Sequence, residues 1–189
     1  VPLAEGEAPG LYPGKFIGAG PQYMYETTDG IHLGATASTN TGARAGRAVQ
    51  QLLDGTYTGT LRATAAVRTG ASIVVTFNRP YGGADLDLFT SLVSDPGNYG
   101  IEWRDAGDGN AVAITGVSVT GAMQLTITLD GTPTGTSQQI LIAATGTSGA
   151  DAGPITGPRS CIRSASSDTD RLGNPMDHYA DHQIINVTT

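Results

Sequence analysis

Asp29 and His32 are the residues whose types and spacing best fit catalysis. His32 follows Asp29 by three positions, and Gly30 between them favours a tight turn. In such a turn the carboxylate can bind one imidazole nitrogen and leave the other free to take a proton from a nucleophile. A turn histidine can equally be structural, so residue chemistry alone leaves both interpretations open.

Two other histidines raise the question of a metal site. His178 and His182 are four positions apart, the spacing of a metal-binding pair on a helix, with Asp177 and Asp181 beside them. No third potential metal ligand lies at a sequence spacing that would complete such a site. We therefore favour a solvated polar tail over a metal site, and the sequence predicts no metal and no cofactor.

The segment around residue 108 resembles a calcium loop only in part. Asp105, Asp108 and Asn110 have suitable oxygen ligands, but the full ligand pattern and a terminal glutamate are missing. A β-turn is the preferred interpretation.

Four aromatic residues could stack on sugar rings. Two of them fall on the predicted core face of a strand, where packing is the simpler role. The four are Tyr23, Tyr25, Tyr99 and Trp103, and the last two are the core-facing pair.

The Asp29 turn is predicted to lie between a strand and a helix. An apolar run at 15–19 predicts a short buried strand before it, after an irregular lead-in at 1–14. A helix is predicted over about 41–53, with Thr39, Asn40 or Thr41 as its cap. Its apolar face is expected to hold Ala45, Val49, Leu52 and Leu53, with Arg44, Arg47, Gln50 and Gln51 facing away.

From residue 57 onward the hydrophobic period changes to two. About seven short alternating segments, separated by Gly, Asn, Asp and Pro turns, predict an antiparallel β-sandwich. A phase change near Gly116 predicts a bulge. The polar tail at 146–189 is predicted to be irregular except for a closing strand at 184–187. The expected fold is therefore mostly β, with domains at 1–56 and 57–189.

Composition narrows the function classes. The 189-residue chain has a net charge of -7 and scattered basic residues, which argues against nucleic acid as a partner. No apolar stretch is long enough to span a membrane, and no signal peptide is evident, so the chain is expected to be soluble. It begins at Val1 without a methionine, which fits a processed product or a piece of a longer polypeptide. The single Cys161 is expected to be buried and inert.

Two short motifs resemble the C-terminal signature of SGNH (GDSL-like) hydrolases, in particular the sialate O-acetylesterase-like proteins of phage type. They are Gly-Ala-Gly-Pro-Gln-Tyr at 18–23 and Thr-Asp-Gly-Ile-His-Leu at 28–33, followed by the predicted helix. The resemblance continues through Thr-Phe at 76–77 and Val-Ser-Asp-Pro-Gly-Asn-Tyr-Gly at 93–100. At 159–164 the chain departs from the family's pattern, although Arg163 remains alignable.

The resemblance implies a role for each residue of the turn. Asp29 would be the orienting acid and His32 the general base of a serine triad, in the remnant of an α/β hydrolase domain that precedes the β-sandwich. The chain contains no Gly-Asp-Ser motif and none of the family's oxyanion-hole motifs. The chain by itself is therefore expected to be inactive.

The expected function is the C-terminal region of a carbohydrate O-acetylesterase acting on acetylated surface polysaccharide. The resemblance implies a virion or extracellular tail-spike location. It also implies a preceding hydrolase segment, other spike subunits or further copies of this chain as partners. The alternative is a non-catalytic carbohydrate-binding or structural spike module, in which the Asp29 turn has no catalytic role.

Overall fold

The computed structural model describes residues 2–12, 14–106, 112–147 and 151–189. Two helices and ten strands occur in this part of the chain, with a single 3-10 turn at Asn98–Gly100. The helices are α1 (Pro2–Leu11) and α2 (Ala35–Leu53). The strands are β1 (Ala63–Thr69), β2 (Ser72–Phe77), β3 (Gly83–Leu88), β4 (Ile101–Ala106), β5 (Ile114–Gly121), β6 (Gln124–Leu129), β7 (Ser137–Ile142), β8 (Ile162–Ser166), β9 (His178–Tyr179) and β10 (Gln183–Asn186).

The strands form three antiparallel sheets. The first has the order β1-β2-β6-β5, the second β10-β7-β4 and the third β3-β8-β9. The end of the chain joins the first two sheets, because Thr188 exchanges backbone hydrogen bonds with Ala66 and Arg68 of β1 just after β10. The predicted mostly-β, sandwich-like fold is confirmed.

Hydrophobic alternation correctly predicted the inward faces of β2 and β6. The buried side chains on these strands come from every second residue: Ile73, Val75, Phe77, Leu125, Ile127 and Leu129. In β1 the same alternation predicts that Ala63, Ala65 and Val67 share the inward face. This prediction is wrong beyond Ala63, because an irregularity in the pairing with β2 between Ala63 and Ala65 reverses the alternation. Ala66 is buried as a result, while Val67 is exposed. The predicted bulge near Gly116 is present in the pairing of β5 with β6.

Helix α2 differs from the prediction in its start and in its orientation. It begins at Ala35, after the extended residue Gly34, which has φ -66° and ψ 170°. The predicted cap residues at 39–41 therefore lie inside the helix. The buried face is the polar one, with Asn40, Arg44 and Ala48 buried, and it forms hydrogen bonds with Tyr25 and Asp170. The predicted apolar face is the exposed one, with Ala45, Val49, Leu52 and Leu53 open to solvent.

The region before the turn also differs from the prediction. Instead of an irregular lead-in, Pro2–Leu11 forms α1, with Pro2 in the first turn where a missing N–H costs little. The strand predicted at 15–19 is wrong. A single apolar run needs a neighbouring strand to pair with, and these residues pair with no described strand, leaving Phe16 and Ile17 exposed.

The polar tail is more ordered than predicted. It contains β8 and β9 as well as the closing strand β10, and β3, which the hydrophobic pattern did not reveal, pairs with β8. The tail is ordered in part because buried aspartates within it accept hydrogen bonds from backbone N–H groups. Asp177, for example, accepts the backbone N–H of Ser166 at 2.9 Å. Cys161 is buried, as predicted.

Neither described helix combines the length and the apolar character that a membrane-crossing helix needs.

Candidate functional site

The turn that carries Asp29 and His32 is closed by backbone hydrogen bonds. Thr28 donates its N–H to the carbonyl of His32 at 2.8 Å, and a bridge between Thr27 and Leu33 extends this pairing. Gly30 has φ +85°, a left-handed conformation that glycine adopts without steric cost. The tight turn predicted from Gly30 is therefore present, and glycine allows the backbone conformation that it requires.

The carboxylate of Asp29 holds both the backbone and the side chain of His32. Its Oδ1 accepts the N–H groups of Ile31 at 3.1 Å and His32 at 2.8 Å, while its Oδ2 lies 2.7 Å from His32 Nδ1. These hydrogen bonds, above all the one from the His32 backbone, lower the pKa of Asp29. The carboxylate is thus stabilised in its charged form, which accepts the Nδ1 proton of the neutral imidazole.

His32 presents its other nitrogen outward. Its side chain is 76% exposed, and Nε2 has no hydrogen-bond partner among the described residues. In particular, no described serine or cysteine side chain bonds to it. The arrangement is the orienting half of a catalytic triad, and the described chain supplies no nucleophile for it.

A loop of the polar tail packs directly on this turn. A β-carbon added to Gly30 would lie 2.3 Å from the carboxylate of Asp151. Asp151 is anchored in turn, because its backbone carbonyl accepts the hydroxyl of Thr156 at 2.8 Å. The turn at 28–33 is therefore in contact with the 151–156 loop, a relationship for which the sequence offers no signal.

A cleft of about 900 Å³ lies beside the turn. Residues from both sides of the turn, such as Thr28 and Gly34, form one wall, and the β-sheets and the polar tail form the other. Its larger apolar side chains are Met24, Tyr25, Phe89, Leu92 and Tyr179. A mainly apolar cleft with a few polar groups is typical of a site for a small organic ligand.

One end of the cleft contains a network of buried polar groups. Tyr25 and Asn40 share a hydrogen bond, and Arg44 Nε donates to both, at 2.7 Å to Tyr25 and 2.9 Å to Asn40. Asn40 Nδ2 also donates to Asp170 at 3.2 Å. Hydrogen bonds from Asn174 lower the pKa of Asp170 to about 2. The network fixes α2, and with it the position of the turn.

Arg163, the tail residue that aligns with the pattern of the hydrolase family, makes contacts that stabilise the fold. Its guanidinium lies 3.5 Å from the ring centroid of Phe89 and forms ion pairs with Asp87 and Asp177. Side-chain hydrogen bonding with Asp87 raises the pKa of Arg163. These contacts join β8, β3 and the residue before β9.

The other sequence candidates are not brought together into a site. His178 lies in β9 and His182 in the loop after it, so their spacing is not helical, and His182 Nδ1 is 2.6 Å from the carbonyl of Ala143. The described residues contain no cluster of three or more potential metal ligands. The preferred solvated tail is also wrong here, since Asp177 and Asp181 are buried.

The calcium-loop candidate falls partly outside the described residues, which exclude Asp108 and Asn110. Asp105 accepts the N–H of Gly135 at 3.1 Å, which is a structural role.

The four aromatic candidates are divided between the core and the cleft. Tyr23 is buried and donates to the carbonyl of Ala180 at 2.7 Å, whereas Tyr25 lines the cleft. Tyr99 and Trp103 are half-buried against the core, as their alternation predicted.

Sequence reasoning missed the Asn40–Arg44 network and the burial of Asp181, which it considered only as a possible metal ligand. The signal for the network was a pair of polar side chains four positions apart on α2, which face the same way on a helix. The burial of Asp181 has no signal in the sequence, because it depends on contacts with Thr60 and Arg62 far away in the chain.

Comparisons with known proteins do not assign the chain to a family. No family model and no curated protein matches it. Among solved structures, the chain is similar to the N-terminal part of the bacterial S-layer protein SbsC, at 12% identity and a TM-score of 0.34. The similarity covers 77% of this chain and 39% of that one, so the chain spans less than half of that chain's length. Similarity at this level carries no argument about fold or function.

Proposed function

We propose that this chain supplies the Asp-His half of a serine ester hydrolase site that acts on O-acetylated polysaccharide. The observation that carries the proposal is the contact of 2.7 Å between Asp29 Oδ2 and His32 Nδ1, with His32 Nε2 facing outward. His32 would take the proton of a serine as it attacks an acetyl carbonyl, and Asp29 would stabilise the imidazolium. The serine and the oxyanion hole would come from a segment or subunit outside this chain.

The exposed face of α2 supports a further partner for this region. Val49, Leu52 and Leu53 lie in solvent on one side of the helix while the opposite side is buried. Apolar helix faces of this kind are normally covered in the assembled protein. A hydrolase segment that covered this face would have to extend along α2, which is about 28 Å long, to reach the turn that precedes its first residue.

Acetate release from an O-acetylated polysaccharide tests the enzyme proposal. We expect none from the chain by itself, and turnover from the full gene product or the assembled particle. His32→Ala should abolish that turnover, and Asp29→Asn should reduce it by orders of magnitude because the imidazole loses its orienting anion. Asp130→Asn is the matched control, since Asp130 also accepts a backbone N–H, from Ala113.

Two results would overturn this proposal. One is the absence of a Gly-Asp-Ser segment from both the full gene product and the other subunits of the assembled particle, and the other is unchanged turnover in the His32→Ala variant. Location on a virion or outside the cell remains part of the same proposal and would be tested by locating the protein in purified particles.

The cleft of about 900 Å³ beside the turn favours a second candidate, a glycan-binding module without catalysis. Oligosaccharide fragments titrated into the chain by NMR should then perturb the cleft residues. Leu92→Ala, in the cleft, should weaken binding, whereas Val119→Ala, on an exposed position of β5, should not. Binding that is equal in both variants would remove the cleft from this candidate function.

A further inference from the structure

The solvent-exposed side of α2 is apolar and uncharged. Val49, Leu52 and Leu53 on this side are 51%, 49% and 76% exposed. The two charged residues of the helix lie elsewhere, since Arg44 is buried and the side chain of Arg47 is only 13% exposed. Three large apolar side chains in solvent on one side of a helix are typical of a contact surface.

The exposed positions have the spacing of a helix that packs against another helix. They follow one another at intervals of three and four residues along the whole of α2, which keeps them on one side. We call this row the seam, and its members are Ala35, Ser38, Gly42, Ala45, Val49 and Leu52. A β-carbon added to Gly42 would meet no atom within 4 Å, so the middle of the seam is open to a partner.

Side-chain size changes from one end of the seam to the other. Its first four positions, from Ala35 to Ala45, hold only small residues, whereas Val49 and Leu52 lie in the last two turns. A second α2 placed antiparallel on the first brings large side chains against small ones, because Val49 then faces Ser38 of the second copy and Leu52 faces Ala35. A parallel pair would crowd the large residues at one end and leave a gap at the other, which close packing disfavours.

The two ends of α2 carry charges that complement each other in the same antiparallel arrangement. Asp54 is the exposed C-cap of the helix, although a carboxylate is unfavourable at the negative end of its own helix. The N-terminus follows Gly34 with no side-chain cap and no acidic residue in its first turn, so its positive end is not compensated. In the antiparallel pair, Asp54 of each copy lies level with the N-terminus of the other, where a carboxylate is favourable.

A hydrolase segment beside the Asp29 turn does not account for this surface. The turn precedes Ala35, whereas Val49 lies about 21 Å further along the helix axis. The net charge of -7 makes two copies of the chain repel each other over most of their surfaces, and the seam is a part of the surface without charge. Size, end charges and the absence of charge on the seam therefore all match a second copy of this chain.

We propose that two copies of this chain pair through their seams, with the two α2 helices antiparallel. The contact strip is about 28 Å long and about 10 Å wide, which gives about 300 Å² per copy. A standard interface buries about 800 Å² per partner, so the dimer should be weak, with a dissociation constant of about 10–100 µM. The pairing does not depend on the esterase proposal, because neither Asp29 nor His32 belongs to the seam.

Sedimentation equilibrium of the chain measures this association directly. The chain is examined from about 5 µM to about 500 µM, a range that brackets the expected dissociation constant. We expect monomer at the lowest concentration, mainly dimer at the highest, and no larger species. A monomer throughout the range would overturn the proposal, as would a trimer.

Substitutions at exposed positions, which leave the folded monomer intact, locate the contact. Val49→Glu buries a charge in the seam of both copies and should raise the dissociation constant at least about tenfold. Asp54→Asn removes the charge that faces the other helix and should raise the constant about threefold to tenfold. Val119→Glu is the matched control, because Val119 is exposed on β5 and lies outside the seam, and its dissociation constant should equal that of the wild type. Equal constants for Val49→Glu and Val119→Glu would exclude the seam as the contact.

Cross-linking determines the direction of the helices. Chains with Ala35→Cys are mixed with chains with Leu52→Cys and treated with a short bis-maleimide, which joins two cysteines only when they lie close together. The native Cys161 does not interfere, because it is buried and its burial raises the pKa of the thiol to about 11. We expect cross-linked dimers in the mixture and none with either variant alone. Cross-linked dimers of the Leu52→Cys chain alone would mean parallel helices and would contradict the proposal.

Discussion

Nε of Arg44 lies 2.9 Å from Oδ1 of Asn40, one turn earlier on the buried face of α2. This polar pair is buried and contacts Tyr25 and Asp170, although the helix also has an apolar face that the sequence pattern assigns to the core. The helix is therefore held by hydrogen bonds to Tyr25 and Asp170 and by small buried side chains such as Ala48, which is 7% exposed.

The orientation of α2 can be tested with the same substitution on its two faces. Ala48→Leu adds three carbon atoms to a packed interface and should lower the free energy of unfolding by about 1–3 kcal/mol. Ala45→Leu adds them to an exposed position and should change it by less than about 0.5 kcal/mol. Urea denaturation of the chain measures both, and the reverse order of effects would contradict the observed orientation.

The pairing of Asp29 with His32 predicts the tautomer of the imidazole. Because Nδ1 donates to the carboxylate, neutral His32 should carry its proton on Nδ1 and leave Nε2 unprotonated. Asp29→Asn should shift the ring toward the tautomer protonated at Nε2. Nitrogen-15 NMR at pH 8, where an ordinary histidine is neutral, distinguishes the two forms.

His182 is an internal control for that measurement. Its Nδ1 lies 2.6 Å from the carbonyl of Ala143, so it should also be protonated at Nδ1. Its spectrum should not respond to Asp29→Asn. A wild-type His32 already protonated at Nε2 would remove Asp29 from its orienting role.

These residues show which parts of the structure the sequence could predict. The Asp29 turn is a local feature, since three residues and one glycine determine its hydrogen bonds, and it forms as predicted. The inward faces of β2 and β6 are set by simple alternation. The face of α2 was wrong because hydrophobicity alone ranks Leu52 and Leu53 above Asn40, whereas the observed contacts satisfy buried hydrogen bonds to Tyr25 and Asp170.

Long-range packing accounts for the other differences. The tail is rich in polar residues, and its strands are stabilised by partners that are distant in sequence, such as Ala84 for the hydroxyl of Ser164 at 2.6 Å. The run at 15–19 is apolar enough for a strand but has no described strand beside it. Hydrophobic periodicity predicts which residues tend to be buried, but it does not predict which element will cover them.

Gly100 should be among the least replaceable residues of the fold. It has φ +82°, and an added β-carbon would lie 2.2 Å from the backbone carbonyl oxygen of Arg159. Since the backbone must move to admit it, Gly100→Ala should cost more than about 3 kcal/mol of unfolding free energy. Gly70→Ala is the matched control, because Gly70 also has a positive φ, of 61°, but has no atom within 4 Å of the added carbon.

The control should cost only the conformational strain, about 1–2 kcal/mol. Comparison of the two variants by urea denaturation separates the steric effect from the strain. Equal losses in the two variants would mean that the contact between the start of β4 and the segment before β8 is looser than observed.

Asp181 should make the stability of the chain depend on pH. Burial raises the pKa of Asp181 from 3.8 to about 6, although Thr60 donates a hydrogen bond to it and Arg62 lies 3.3 Å away. The folded chain therefore binds this proton more tightly than the unfolded chain does. The resulting stabilisation is complete below about pH 4 and is lost as the pH rises through 6, with a total change of about 3 kcal/mol.

Asp181→Asn should remove this component while it keeps an acceptor for Thr60. The variant carries no ionisable group at this position, so its free energy of unfolding should gain about 3 kcal/mol relative to the wild type between pH 4 and pH 7. Urea denaturation at several pH values measures this difference, in which the contributions of all other groups cancel. Parallel curves of unfolding free energy against pH for the wild type and the variant would contradict this prediction. They would mean that Asp181 has the same pKa in the folded and unfolded chains, and that groups other than Thr60 and Arg62 also solvate its carboxylate.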